Sequence, residues 1–202
     1  MAVLPVQPPL IQQPRPAAFI SFSAEVVPHT IEALLATAAN LVNQGFREIV
    51  LLLSTPGGSV MHGITAYNVL RGLPVSLTTH NVGNVDSIGT VIFLAGARRY
   101  ACPQATFMLH GVAFGTQAPT QFFERNLEER LDSLRADQQR ISAIYQDRAG
   151  INAEQAEQFF LRGATINAAE AVQRGIVHEL REVQIPAGSP VIQLVFERKG
   201  TV

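Results

Sequence analysis

The chain has 202 residues, a length that fits one domain of ordinary to large size. Its formal net charge is −1, and its fifteen basic residues, of which only Lys199 is a lysine, gather into no basic stripe, so nucleic acid is not an expected partner. No apolar run reaches the ~18 residues that a membrane helix needs, so no membrane span is expected.

Hydrophobic residues make up 47% of the chain and charged residues 15%. That charge fraction is below the ~25% of an ordinary globular chain. Surface buried against other copies would account for the deficit, and so would an alanine-rich core with uncharged loops; self-assembly is the reading carried forward. The single cysteine, Cys102, excludes an internal disulfide and suits a reducing compartment, so a cytoplasmic location is expected. Cys102 precedes Pro103 with no His or Asn signature beside it, and it reads as a small apolar residue rather than a nucleophile. The five histidines do not cluster, so no metal and no other cofactor is expected.

Residues 1–18 are rich in Pro and Gln and read as an extended N-terminal segment, without the basic end and unbroken apolar stretch of a signal peptide. Phe19 to Val26 reads as a strand. Pro28 opens a helix to about Gln44, with Ile31, Leu34, Leu35, Ala38, Leu41 and Val42 at helical spacing, and Gly45 ends it. Ile49 to Leu53 is a continuous apolar run, as in a strand covered on both faces. After Thr55-Pro56-Gly57-Gly58, Val60 to Leu70 reads as a helix and Val75 to Thr79 as a strand. Gly83 to Ser87 reads as a turn into an apolar helix, Ile88 to Ala95, and Phe107 to Leu109 as a further strand. This alternation predicts an α/β fold with a largely parallel core.

Residues 119–149 form a long polar helical segment whose apolar residues Leu127, Leu131, Leu134, Ile141 and Tyr145 step by three and four, with Gln138 in the seam. It reads either as a helix lying on its own core or as a projecting helix that meets another subunit. Asn167 caps a short helix, Ala168 to Arg174, stopped by Gly175. Ile176 to Leu180 reads as a closing strand, and the tail 181–202 holds a possible edge strand, Val191 to Phe196.

Three features bear on chemistry. Gly57 and Gly58, directly after a buried strand, let backbone N–H groups approach a ligand, although an ordinary strand-to-helix turn has the same composition. Ser87 stands at the head of an apolar helix, where free N–H groups and the helix dipole favour developing negative charge; a simple helix cap would look the same. His110 leaves a strand beside Gly111, and a serine hydroxyl needs such a base to take its proton. His29, His62, His80 and His178 read as surface or structural.

These segments resemble the proteolytic subunit family of the Clp protease, in the ClpP/crotonase superfold. Ser54-Thr55-Pro56-Gly57-Gly58-Ser59-Val60 is similar to its serine-proline-glycine-glycine turn, with Thr55 inserted. Gly83 to Ala97, ending Leu94-Ala95-Gly96-Ala97, resembles its nucleophile segment. Arg98 to Pro103 through Met108-Leu109-His110 resembles its histidine segment. Ala168-Ala169-Glu170-Ala171-Val172 and Gly175-Ile176-Val177 resemble its closing motif, and the likeness covers residues 19–180.

The resemblance implies a superhelix of repeated strand-turn-helix units with a protruding handle helix at about 119–149. It implies Ser87 as acylated nucleophile, His110 as general base, and the amides of Gly58 and Ile88 as oxyanion hole. It implies hydrolysis of peptides or unfolded proteins inside a heptameric ring or double ring, fed by an ATPase partner. The chain departs from the family at the third catalytic position, where Gly163 stands in place of an aspartate; Asn167, Thr165, a backbone carbonyl or water are the available substitutes. Asp86, adjacent to Ser87, is expected to point away from the site. The N-terminal segment lacks the family's axial-loop sequence, which leaves the ATPase partnership open. A slow serine endopeptidase is therefore the leading expectation, with a catalytically weak or inactive assembly subunit as the alternative. A crotonase-type acyl-CoA enzyme is a third reading, carried by the shared fold alone.

Overall fold

Residues 16–113, 115 and 123–196 are described by the computed structural model of this chain. In chain order they form β1 (Ala18–Ser23), α1 (Pro28–Asn43), β2 (Glu48–Thr55), α2 (Val60–Gly72), β3 (Ser76–Asp86), α3 (Gly89–Phe93) and β4 (Arg98–Ala101). There follow β5 (Thr106–Leu109), α4 (Glu124–Ala149), α5 (Ala153–Arg162), β6 (Ala164–Asn167), α6 (Ala168–Gln173), β7 (Glu179–Leu180) and β8 (Val191–Leu194). Most of the Pro-rich stretch, residues 119–122 of the long helical segment and the end of the tail lie outside the described residues.

One sheet runs β6-β5-β3-β2-β1-β8, with β4 pairing β3 and β7 away from that path. Its pairings are parallel except β5 with β6, which is antiparallel. β2 lies between β1 and β3, and Leu51, Leu52 and Leu53 are all buried, which is why its apolar run does not alternate. α1 places Ile31, Leu34, Ala38 and Leu41 in the core at steps of three and four. Burying each such Leu or Ile contributes about 1.5–3 kcal/mol. β8 adds to the β1 edge, and beyond it Phe196 meets Phe22 edge-on at 6.0 Å.

Residues 83–86 are not a turn: β3 continues through them to Asp86, and the turn is confined to Ser87 and Ile88. The strand changes neighbours instead of ending. Thr78 to Asn81 pairs with β4, and Asn84 to Asp86 pairs with β5. At the change, Asn81 Oδ1 accepts the N–H of Gly83 (3.0 Å) and Asn81 Nδ2 donates to Thr106 O (2.8 Å). Ser87 consequently sits at the carboxyl end of a central strand, where α/β sheets place their ligands. The helix after it is also shorter than Ile88 to Ala95; Ile88 and Leu94 are its caps. The short strands β4 and β6 carry no strong sequence period, whereas α5 is amphipathic, with Ala156 and Phe159 turned to the core, and is an element that the sequence reading above omits.

Behind the sheet, Arg99 on β4 is 3% exposed. Its Nε donates to Ile176 O (2.7 Å), and its Nη2 to Arg148 O (2.8 Å) and Gly175 O (3.0 Å). Arg148 in turn donates to Leu94 O (3.1 Å) and Gly96 O (3.0 Å). The two guanidiniums thus bind carbonyls at the C-terminal ends of α3, α4 and α6, where helix dipoles are negative. Burial, and then the neighbouring charge of Arg148, lower the Arg99 pKa to about 10.

Candidate active site

The end of β3 and the turn after β2 meet at Ser87. Ser87 has φ 56°, the only positive φ among the described non-glycine residues. Its N–H donates to Met108 O (2.7 Å) on β5. Its carbonyl accepts from the backbone N–H (3.0 Å) and the hydroxyl (2.7 Å) of Thr90 in α3. The side chain is thereby turned out of the strand register at the head of a helix.

The Thr55–Gly58 turn passes close over this serine. A Cβ on Gly57, whose φ is +89°, would lie 2.6 Å from Ser87 Cβ, so the contact requires glycine. A Cβ on Gly58 would overlap Val26 O. Gly57 N–H donates to Thr55 Oγ1 (3.1 Å), Val26 N–H to Gly57 O (2.7 Å) and Ser59 N–H to Val26 O (2.7 Å). These bonds bracket Gly58 and leave its own N–H without an acceptor among the described residues. The N–H of Ile88, one residue before α3, is likewise without one.

Gly58, Ser87, Ile88 and His110 line a single cavity of about 100 Å³, walled further by Val60, Val91, Ile141 and Tyr145. His110 enters it directly after β5. Among the described residues no hydrogen bond joins the Ser87 hydroxyl to the His110 ring. Two free N–H donors, a hydroxyl and an imidazole around one apolar-walled space are the groups that acyl transfer requires.

Gly163 lies beside His110: a Cβ built on it would sit 3.8 Å from His110 Cβ and 3.9 Å from Leu109 O, in ordinary contact. Its backbone, φ 65° and ψ 150°, is one that glycine adopts freely and other residues avoid. Of the residues considered as substitutes for an aspartate, Asn167 spends its Oδ1 on the N–H of Glu170 (2.9 Å), capping α6. Thr165 pairs with Met108 across β5 and β6. The Asp86 carboxylate accepts from Asn84 Nδ2 (2.7 Å), which also reaches Thr55 O (3.3 Å). Asp86 therefore braces the turn after β2.

A hydrogen-bonded serine–histidine pair does occur elsewhere, Ser59 Oγ with His62 Nδ1 at 2.8 Å. Both belong to the first turn of α2, three residues apart, and neither lines the cavity. A larger cavity of about 700 Å³, on the other side of the Thr55–Gly58 turn, shares no lining residue with the Ser87 cavity; its Ser54 hydroxyl is bonded to Asn84 Oδ1 (3.2 Å) and its His29 packs on Phe196 at 5.9 Å. No group of three metal-ligating side chains occurs among the described residues, and no helix there is long and apolar enough to cross a membrane.

Two residues at the site escaped the reading of the sequence. Thr90 and Tyr145 are buried, 1% and 3% exposed, and their hydroxyls are 2.7 Å apart. Burial pushes the Tyr145 pKa up to about 12, so it stays neutral. The available signal was a threonine one turn after the serine together with a tyrosine in the apolar seam of the long helix. The family model described as Clp protease matches residues 16–184.

Proposed function

The chain belongs to the Clp protease family, and from that premise we propose that it is a serine endopeptidase with Ser87 as nucleophile and His110 as base. The observation that carries this reading is the left-handed Ser87 at a helix head, sharing one cavity with His110 and two amides that have no acceptor among the described residues. His110 takes the hydroxyl proton as Ser87 Oγ attacks the peptide carbonyl. The amides of Gly58 and Ile88 bind the oxygen as it becomes negative. The proton then passes from His110 to the departing amine, and water releases the acyl group by the same steps reversed.

Gly163 offers His110 no carboxylate. In triads where the aspartate function is lost kcat falls about 10⁴-fold, yet activity above background persists. The expected enzyme is slow, and Ser87→Ala should abolish what peptide cleavage the wild type has. Equal cleavage by both proteins would favour a second reading, an assembly subunit without efficient chemistry; Gly163 and the missing Ser87–His110 hydrogen bond are its support.

We further propose that copies of the chain assemble through α4 into a heptameric ring or double ring that encloses the sites. The support is the low charge fraction and the exposed Phe123, Leu127 and Leu131 at one end of that helix. Unfolded chains or peptides are the substrates on this reading.

A further inference from the structure

We infer that Thr90 and Tyr145 are positioning residues that aim the Ile88 amide at the developing oxyanion; the inference rests on the peptidase reading above. The Ser87 carbonyl can only accept, so the Thr90 hydroxyl, 2.7 Å away, donates its one proton there. Thr90 Oγ1 then has no proton left for Tyr145, so the Tyr145 O–H donates to Thr90. The direction of the relay is fixed: Tyr145 to Thr90 to Ser87 O.

The Ser87 carbonyl and the Ile88 N–H belong to one planar peptide unit. There are no cis peptide bonds among the described residues, so in this unit C=O and N–H point in opposite directions. Two donors from Thr90 draw the carbonyl into the first turn of α3. The Ile88 N–H is thereby turned away from that turn, and no acceptor among the described residues takes it. Ile88 and Ser87 both line the cavity, and Tyr145 forms another of its walls. Without the Thr90 hydroxyl, a single backbone N–H would have to hold the peptide against the left-handed strain at Ser87. Tyr145 belongs to α4, so the same contact ties the long helix to the nucleophile.

The test compares wild type with Thr90→Val, Thr90→Ser and Tyr145→Phe, using the rate of Ser87 labelling by a fluorophosphonate and the kcat and KM of peptide cleavage. Thr90→Val keeps the shape and should lower kcat and the labelling rate about tenfold with KM unchanged, short of the ~10²–10³ lost when an oxyanion donor is removed outright. Thr90→Ser should restore most of the rate, and Tyr145→Phe should lose less than Thr90→Val. Equal rates for Thr90→Val and wild type, or a Thr90→Ser as slow as Thr90→Val, would overturn the inference. An unlabelled wild type would instead sink the peptidase reading. A crystal structure of Thr90→Val, or of Tyr145→Phe should that variant not fold, decides the positioning role independently of activity: a displaced 87–88 peptide is expected, and an unmoved one overturns it.

Discussion

A left-handed backbone costs an L-residue about 1–2 kcal/mol, and Ser87 bears that cost with three hydrogen bonds on its own peptide groups. Gly163 presents the reverse case: a strained conformation made free by the absence of a side chain. Space for a Cβ exists beside His110, but an aspartate there must hold φ 65° and ψ 150°. Gly163→Asp should therefore raise kcat while lowering stability by about 1–3 kcal/mol. Peptide kinetics and a melting curve on the same variant check both signs; unchanged kcat would show that position 163 does not serve His110. That Ser87 and His110 could share a site was legible from a helix-head serine and a strand-exit histidine, and Gly58 and Ile88 joined them only through the family likeness; the structure lines one cavity with all four. The φ of Ser87 and the Thr90–Tyr145 contact were not legible, since both arise only when α3, α4 and β5 close together.

Among the elements, α4 carries apolar surface that its own fold does not explain. Its 26 residues span about 39 Å, yet only Ile141 and Tyr145 are buried. Leu127 and Leu131, 49% and 45% exposed, continue the same stripe with no core beneath them. Replacing both with Glu should leave the fold intact, since exposed positions usually change stability by no more than about 0.5 kcal/mol. The same replacement should move sedimentation from the assembled species to smaller ones. An unchanged sedimentation profile would remove α4 from the interface. The period of α4 was legible in the sequence, but whether its stripe met a core was not, because both cases share one pattern. β3 was read too short for a related reason: Gly83 has the composition of a turn, and only the switch from β4 to β5 keeps it in a strand.

For the molecule as a whole, His80 links stability to pH. It is 4% exposed, and its Nε2–H donates to Arg181 O (2.8 Å), joining β3 to the segment after β7. Burial is the largest influence on it and lowers its pKa below 6.5, outweighing the bond to Arg181, which raises it; the Arg181 charge lowers it further and Glu182 raises it. Below pH 6.5 the unfolded chain therefore binds a proton that the folded chain resists. The melting temperature should fall as pH drops from 7.5 to 5.5, and His80→Gln, whose amide can still donate to Arg181 O, should flatten that slope. A wild-type melting temperature that does not change across this range would contradict the assignment.

The most direct measurement on the central claim is covalent labelling by a fluorophosphonate, located by peptide mass spectrometry. One adduct on Ser87, absent from Ser87→Ala and strongly slowed in His110→Ala, is the predicted result. A wild-type protein that stays unmodified while an active serine peptidase is labelled alongside it, or an adduct on Ser59 instead, would contradict the account.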